Sequence, residues 1–270
     1  MSPLFKTILK SPAMWPSAGM VVASCLLRRK TATTWRNGMR MICGTKPGQG
    51  AFCAIAGLDY EPELRWILSI LNSGDVFVDV GANVGVYSVH AARKVGPSGR
   101  VVAIEPSAQA AAILTANASA NDLSDIITVI NAAASNTQGS LYLAGSPEQW
   151  NSLSLTESPT GPEIAVTTLD KTLASDASLA GRIKCIKIDA EGVETQVLQG
   201  AANVISKSSP YIVFENTFET TRCEAALWLK QHGYKILPLH SILTPTNTTN
   251  TSQQHGANLI AVPLNFSSAS

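Results

Sequence analysis

The sequence predicts a doubly wound α/β domain around a seven-stranded, mostly parallel sheet, preceded by a helical N-terminal extension. From residue 60 onward, short β-branched runs alternate with amphipathic or alanine-rich segments, which is the pattern of βαβ units. Of the 270 residues, 45% are apolar and 14% charged, so the chain can bury a large core. The composition excludes an intrinsically disordered protein.

The first half of the domain begins with a helix and contains three predicted strands. Glu61-Pro62-Glu63 places acids and a proline in a first helical turn, and Asn72-Ser73-Gly74 ends that helix. The apolar run 76–80 lies between glycines, which predicts a strand buried on both faces. The elements expected next are a helix over 84–95, a strand over 100–104, a helix over 107–120 and a strand over 126–130.

An irregular stretch separates the two halves of the sheet. Glycines and prolines recur between residues 136 and 166, which predicts a loop-rich insertion with one short strand over 140–144. Beyond it we expect strands over 183–188, 211–214, 234–237 and 258–262, and helices over 193–202 and 218–231. A polar Thr/Asn/Gln loop, 245–254, precedes the last strand, which is expected to insert antiparallel to its neighbours.

Charge divides the chain at residue 59. The whole chain has a net charge of +1, but residues 1–58 carry eight lysines and arginines and no acid, and the remainder carries −7. We therefore divide the chain into a basic N-terminal extension, 1–58, and a catalytic domain, 59–270. The acidic domain has no stripe of basic and aromatic residues, which argues against a nucleic-acid partner.

Three interpretations of the N-terminal extension are open. The weakly polar run 13–27 is too short, and too interrupted by Pro16, to span a bilayer. The extension is then a helical segment packed on the catalytic domain, an interfacial helix within residues 1–35 that contacts a membrane, or a cleaved targeting segment. Against a signal peptide, Arg28-Arg29-Lys30 stands where small residues and a cleavage site are needed.

Cysteine usage bears on the compartment. The five cysteines are an odd number without a CxxC pair, which argues against a disulfide scaffold and a zinc cluster. A reducing compartment is the default for such a chain. We therefore expect a cytoplasmic protein, with membrane association through the N-terminal extension as the alternative.

A glycine-containing loop, 79–85, joins the first strand to its helix. Gly81 and Gly85 lack the Cβ atoms that would keep a ligand from the backbone, and the helix N-terminus presents unpaired N–H groups. Glu105 ends the next strand, where a carboxylate can accept both hydroxyls of a ribose. A tight turn alone would also require glycine, but the loop and Glu105 together predict a ribose-containing cofactor.

The loop favours S-adenosylmethionine over a dinucleotide. A dinucleotide site requires the third glycine of GxGxxG, whereas Val84 and Ser88 stand at the corresponding positions. Asp79 would repel a pyrophosphate and would suit the cationic amino acid portion of S-adenosylmethionine. The chain also lacks a Tyr-x-x-x-Lys pair. An NAD-dependent oxidoreductase is therefore the second candidate, and a non-catalytic cofactor-binding domain is the third.

Four ordered motifs resemble those of FkbM-type S-adenosylmethionine-dependent methyltransferases. They are DVFVDVGANVGVYS at residues 75–88, AIEPS at 103–107, TLD at 168–170 and KIDAEG at 187–192. The resemblance covers roughly residues 60–263 and implies the Rossmann-like class I methyltransferase fold. It also implies an O-methyltransferase that acts on a small molecule, most often a sugar hydroxyl of a glycoside, glycolipid or polyketide-type product.

The same resemblance implies a set of cofactor contacts at three strand ends. The amino acid end of the cofactor would contact the loop residues Asp79, Gly81, Ala82, Asn83 and Gly85. Glu105 would hold the ribose, and the residues around the adenine would be Pro106, Ser107, Asn131 and Ala132.

Acidic residues follow two later strands. Asp189 and Glu191 end the strand over 183–188, and Glu215 ends its neighbour, so all three are expected near the methyl group. We predict Asp189 nearest to the methyl group, as a catalytic and cofactor contact, with Glu191 and Glu215 as base or acceptor-orienting groups. One alternative is a divalent cation held by Asp189 and Glu215. Another is a structural role, in which Asp189 and Glu191 cap the next helix and Glu215 pairs with Lys187.

Two further features complete the predicted site. His255 precedes the last strand on the same edge of the sheet and is a second candidate base. Trp150-Asn151-Ser152, in the insertion, combine an aromatic face with amide and hydroxyl groups, which suits the binding of a sugar ring. The structural alternatives are that His255 is only solvated and that Trp150 fills a local core.

Overall fold

The computed structural model describes residues 31–34, 38–43, 61–143, 155–156, 161–174, 176–179, 181–215, 223–239 and 258–264. The strands in these ranges are β1 Thr31–Thr34, β2 Arg40–Cys43, β3 Val76–Val80, β4 Arg100–Ile104, β5 Ile127–Ile130, β6 Ala133–Ala134, β7 Gly139–Leu143, β8 Leu155–Thr156, β9 Glu163–Thr167, β10 Ile183–Ile188, β11 Tyr211–Phe214, β12 Tyr234–Pro238 and β13 Leu259–Pro263. The α-helices are α1 Pro62–Ile70, α2 Val86–Val95, α3 Ala108–Ala120, α4 Leu169–Ala174, α5 Glu194–Gln199, α6 Ala202–Ser208 and α7 Glu224–Gln231.

Seven strands form the main sheet, in the order β12-β13-β11-β10-β3-β4-β5. Strands β11, β10, β3, β4 and β5 are mutually parallel, and β13 pairs antiparallel with both β11 and β12. The prediction of a mostly parallel sheet with an inserted antiparallel last strand is confirmed. The strand order reverses between β3 and β10, so a crevice lies beyond their carboxyl ends, where ligands bind in folds of this kind.

Helices cover both faces of the main sheet because its strands are apolar on both faces. Along β3, the fully buried Phe77 packs into a core with α1, α2 and α3, for example with Leu64 and Leu114. Its neighbour Val78 packs into the opposite core with the later helices, for example with Leu198 of α5. Burial on both faces therefore explains why four of the five residues of β3 are apolar, with the buried Asp79 as the exception.

The stretch between residues 136 and 166 differs from the loop-rich insertion that we expected. Its described residues contribute to a second sheet of four strands, in the order β6-β9-β7-β8. The expected short strand is present as β7, which pairs antiparallel with β9, and Ile164 and Val166 alternate inward from β9. Of the described glycines and prolines there, Gly139 begins β7, and Gly161 and Pro162 directly precede β9. The prediction was wrong because β9 buries only alternate residues, so it lacks the nearly continuous apolar run that marks the strands of the main sheet.

Two helices also differ from the prediction. The helix expected over 193–202 is divided into α5 and α6 at Gly200, where a Cβ atom would lie 2.0 Å from the backbone oxygen of Ser135. A side chain at this position would collide with the chain before β7. Of the helix expected over 218–231, the described part begins with α7 at Glu224.

The N-terminal extension is not helical where the structure describes it. Strands β1 and β2 form an antiparallel hairpin, paired from Thr31 with Cys43 to Thr34 with Arg40. The remainder of residues 1–60 and the predicted polar loop 245–254 lie outside the described residues. None of the helices in the described part of the chain combines the length and the apolar character needed to cross a membrane.

Candidate active site

The glycine loop follows β3 and is attached to the neighbouring strand. The backbone N–H groups of Gly81 and Ala82 both donate to the oxygen of Ile104, at 2.9 and 3.1 Å. Gly81 and Asn83 have positive φ angles, +72° and +49°, and both remain partly exposed at the crevice. The loop is therefore held in one conformation, with part of its backbone accessible to a ligand.

Both loop glycines are required by contacts within the protein. A Cβ atom on Gly81 would lie 1.9 Å from the backbone oxygen of Asp189, and one on Gly85 would lie 2.7 Å from Cγ of Leu114. We had expected these glycines to make room for a ligand. The space is instead filled by protein atoms, because the loop packs directly against the end of β10 and against α3.

Glu105 connects the glycine loop to the end of β4. Its Oε2 accepts a hydrogen bond from the N–H of Asn83 and its Oε1 accepts one from Ser107, both at 2.8 Å. Burial raises the pKa of Glu105, and the two backbone hydrogen bonds oppose that shift. Nδ2 of Asn131 donates to the backbone oxygens of Glu105 and Pro106, at 2.8 and 2.9 Å. Glu105 thus stabilises the loop, and its predicted contact with a ribose stays a prediction.

Three of the predicted adenine contacts surround this strand end. Ser107 is the N-cap of α3 and accepts a hydrogen bond from the N–H of Ala110 at 3.3 Å. Asn131 is exposed and Ala132 is buried directly after β5. The structure therefore brings together the end of β4, the end of β5 and the start of α3. The contact of these residues with adenine stays a prediction.

A buried ion-pair network lies beneath the crevice. Asp79 is fully buried, accepts a 2.6 Å hydrogen bond from Ser88 and has Oδ1 3.9 Å from Nζ of Lys187. The same Nζ lies 3.2 Å from Oδ2 of Asp189 and 4.7 Å from the ring centre of Tyr87. Burial disfavours the charge of Lys187, but Asp189 and Asp79 outweigh it and raise the pKa. The structural alternative in which Lys187 pairs with Glu215 is therefore wrong in this structure.

The three predicted carboxylates converge at the ends of β10 and β11. The N–H of Asp189 donates to the oxygen of Val80 at 3.1 Å, and that of Glu215 donates to Ile188 at 3.2 Å. Burial raises the pKa of Glu215 to about 7, and Asp189 and Glu191 add to the shift. Burial, followed by Asp189, also raises the pKa of Glu191. A group at this position can therefore exchange a proton near neutral pH.

Glu194 shapes the loop that carries two of these carboxylates, and the sequence analysis missed it. Its Oε1 accepts hydrogen bonds from the N–H groups of Gly192, at 3.0 Å, and Ala190, at 3.3 Å. Glu191 has a positive φ of +52°, which this pairing holds in place. No side chain caps α5, so the alternative in which Asp189 and Glu191 cap that helix is wrong. An acid in the first helical turn was the available signal.

A small polar cavity adjoins Asp189 on the side of α1. The polar residues around it are Glu61, Glu63, Tyr87, Lys187, Asp189 and Asn258. The hydroxyl of Tyr87 donates to Glu61 at 2.6 Å, and the amide of Asn258 donates to Glu63. Burial and the adjacent Glu61 raise the pKa of Glu63 to about 7. Glu61 and Glu63 were interpreted only as a helix start, because nothing local indicates that they are buried.

Two parts of the predicted site lie outside the described residues. They are His255 and the segment Trp150-Asn151-Ser152, and their roles stay predictions. Within the described ranges, no group of three or more His, Cys, Asp and Glu side chains is arranged to hold a metal ion. The pair Asp189 and Glu215 therefore has no third protein ligand of these types among the described residues.

Comparison with known proteins assigns the family. The family model described as "Methyltransferase FkbM domain" matches residues 79–236. No curated protein matches the chain. Among solved structures, an FkbM methyltransferase from Methylobacillus flagellatus is 19% identical, with a TM-score of 0.47, over 78% of this chain and 54% of that one. This chain thus spans about half the length of that protein.

Two further structures have comparable similarity. An O-methyltransferase from Bacillus cereus in complex with S-adenosylhomocysteine is 16% identical, with a TM-score of 0.44, over 76% of this chain and 80% of that one. A SAM-dependent O-methyltransferase from Thermotoga maritima is 14% identical, with a TM-score of 0.44, over 75% and 65%. The family model covers more than half of the chain, and the chain therefore belongs to the FkbM family of S-adenosylmethionine-dependent methyltransferases.

Proposed function

We propose that the protein transfers a methyl group from S-adenosylmethionine to a hydroxyl of a small molecule, in particular a sugar or glycoside. The observation that supports this proposal is Glu215, whose pKa of about 7 results from burial beside Asp189 and Glu191. A hydroxyl must lose its proton as it is methylated, and a carboxylate with this pKa is a suitable base at neutral pH.

The residues of the crevice fit the cofactor. Gly81 and Asn83 are partly exposed, and each oxygen of the Glu105 carboxylate has a second lone pair beyond its bond to a backbone N–H. We propose that Gly81 and Asn83 hold the amino acid end and that Glu105 accepts the ribose hydroxyls. We place the adenine against Ser107 and Asn131. When bound, S-adenosylmethionine supplies an electrophilic methyl carbon on a sulfonium.

The carboxylates have separate roles in the proposed transfer. Glu215 accepts the hydroxyl proton while the acceptor oxygen bonds to the methyl carbon and the carbon–sulfur bond breaks, leaving S-adenosylhomocysteine. Asp189 is held by Lys187 at 3.2 Å and by its backbone bond to Val80, so it orients the acceptor from a fixed position. Burial, then the negative charge of Asp189 and then that of Glu191, raise the pKa of Glu215 and keep it protonatable. This scheme uses no metal ion.

The proposal of a sugar acceptor is supported by three residues of the insertion between residues 136 and 166. Trp150-Asn151-Ser152 supply the aromatic face and the hydrogen-bonding groups that a sugar ring uses. The family assignment leaves an NAD-dependent oxidoreductase without support. A non-catalytic cofactor-binding domain remains a competing function, and only an assay of turnover distinguishes it.

The test is transfer of a labelled methyl group from S-adenosylmethionine to a panel of glycosides and their deoxy analogues. We expect Glu215→Gln to lower kcat about 100-fold, with the Kd for S-adenosylhomocysteine changed less than twofold. Because the base is ionised only above its pKa, wild-type kcat should rise through pH 7, and this rise should be lost in the variant. Glu163→Gln, which replaces an exposed residue of β9, is the matched control for the change from glutamate to glutamine.

Three outcomes would contradict the proposal. Label found only on amines or carboxylates would show that the acceptor group is not a hydroxyl. An active Glu215→Gln variant would assign the base to another residue, such as His255. Cofactor binding without transfer to any member of a broad panel would favour the non-catalytic alternative.

Addition of a chelator should leave turnover unchanged, because the proposed scheme uses no metal ion.

A further inference from the structure

Asn117 of α3 and Asn121, the C-cap residue that follows α3, bind the backbone of the N-terminal hairpin. Oδ1 of Asn117 accepts a 2.6 Å hydrogen bond from the N–H of Ile42, and its Nδ2 donates to the oxygen of the same residue at 3.3 Å. Asn121 binds Arg40 in the same way, at 2.8 and 2.7 Å. Each side-chain amide therefore presents the donor and acceptor that a neighbouring strand would present to β2.

The two asparagines are separated by nearly the same distance as the two residues of β2 that they bind. Residues 117 and 121 are one helical turn apart, which separates them by about 6 Å along α3. Residues 40 and 42 are two positions apart in β2, which separates them by about 6.7 Å. The side chains of the alternate residues Met39 and Met41 are 2% and 0% exposed and belong to the core that contains α2 and α3. β2 is thus bound through both its backbone and its side chains.

Asn117 also reaches the glycine loop. Its Nδ2 donates a second hydrogen bond to the backbone oxygen of Val84, at 2.8 Å, and the residue is fully buried. The Asn117 side chain therefore makes three hydrogen bonds, with both amide hydrogens and one oxygen lone pair. Two of these bonds go to β2 and one goes to the glycine loop. Asn121, by contrast, donates its other bond to the backbone oxygen of Asn117 within α3, at 2.7 Å. Of these two asparagines, Asn117 is the one that links β2 to the loop.

We propose that Asn117 is a positioning residue for the cofactor, and that β2 is a structural part of the cofactor site. Strand β2 lies outside the segment 79–236 that the family model covers. Ile42 fixes the orientation of the Asn117 amide, and that amide fixes Val84 between Asn83 and Gly85. The basic N-terminal extension therefore contributes to cofactor binding through this contact. The cofactor in this inference is that of the proposed function.

The test compares Asn117→Ala with its matched control Asn121→Ala. Both variants lose two hydrogen bonds to β2, but only the first loses the bond to Val84. We expect the Kd for S-adenosylhomocysteine to rise about three- to tenfold in Asn117→Ala, the worth of one net hydrogen bond, and to change less than twofold in Asn121→Ala. If Asn117→Ala does not fold, Asn117→Ser, which keeps one hydroxyl donor, replaces it.

Hydrogen exchange in the ligand-free protein provides a second readout that does not depend on the cofactor. Amides of residues 82–86 should exchange faster in Asn117→Ala than in wild type, and at the wild-type rate in Asn121→Ala. Equal acceleration in both variants, or none in Asn117→Ala, would overturn the proposal. If wild type does not bind S-adenosylhomocysteine, the proposed function fails, and the exchange rates still decide whether Asn117 positions the loop.

Discussion

At the scale of single residues, the site is defined by charges that the protein buries in pairs. Lys187 has two carboxylate neighbours, Asp79 and Asp189, and it lies against the ring of Tyr87. A buried ion is costly unless it is paired, so removing Lys187 would leave Asp79 as an uncompensated charge in the core. Glu63 is buried beside another acid, Glu61, and this acid makes its charged form less favourable. Both environments raise the pKa and favour the protonated form, which is charged in Lys187 and neutral in Glu63.

Glu63 should make the protein less stable as the pH rises. Its pKa is about 7 in the folded protein against an ordinary value of 4.5, so the folded state binds more protons than the unfolded state between these values. The free energy of unfolding therefore decreases from pH 4.5 to pH 7. Glu63→Gln, which can still accept the bond from Asn258, should be about 3 kcal/mol more stable than wild type at pH 8 and equal to it at pH 4.

Denaturant titration at both pH values checks this prediction. Glu163→Gln, on the exposed side of β9, is the control for loss of a negative charge, and its effect should be the same at pH 4 and pH 8. A Glu63→Gln variant whose stability differs from wild type by the same amount at both pH values would contradict the assignment of the raised pKa.

At the scale of elements, predictability depends on how local the determining contact is. The run 76–80 is apolar at every position but Asp79 because β3 is buried on both faces, so its own composition identifies it. Strand β6 has two residues, and it pairs with residues 166–167 of β9, more than 30 positions later. No local pattern marks such a strand. The requirement for glycine at position 200 is equally non-local, since a side chain there would collide with the backbone of Ser135.

The loop before α5 provides a prediction at this scale. Removing the carboxylate in Glu194→Ala leaves the N–H groups of Ala190 and Gly192 without their acceptor. We expect a loss of about 1 to 2 kcal/mol of stability and faster amide exchange at Gly192. Glu194→Gln keeps an acceptor oxygen and should retain most of both properties. Unchanged exchange at Gly192 in the alanine variant would show that the loop holds its shape without Glu194.

At the scale of the whole molecule, the site combines distant parts of the chain. Glu105, Asp189 and Glu215 could be placed from the sequence, because parallel strands bring their carboxyl ends to one edge. The contacts that support them could not be placed in this way. Asn258 binds Glu63 from 195 positions away, and Ile42 binds Asn117 from 75 positions away. Such pairs follow only from the packed fold, so the sequence predicted which carboxylates meet at the edge of the sheet and missed the contacts that support them.

The charge asymmetry of the molecule leads to the last prediction. Residues 1–58 carry eight basic side chains and no acid, whereas the rest of the chain carries −7. A surface of anionic lipid would attract the first part and repel the second, and each basic residue near such a surface contributes about 1 kcal/mol. We therefore expect the full chain to sediment with vesicles that contain phosphatidylserine at low salt, and to remain in solution with phosphatidylcholine alone.

Replacing Arg28, Arg29 and Lys30 by glutamine should weaken this binding at least tenfold, because three of the eight basic residues are lost. Replacing three basic residues of the acidic part, Lys171, Lys207 and Lys235, is the matched control for the change in net charge. Since attraction to the membrane acts through the local cluster, the control should bind as wild type does. Equal losses in both variants would mean that net charge governs the association. No binding by the wild-type chain would show that the basic extension does not act at a lipid surface.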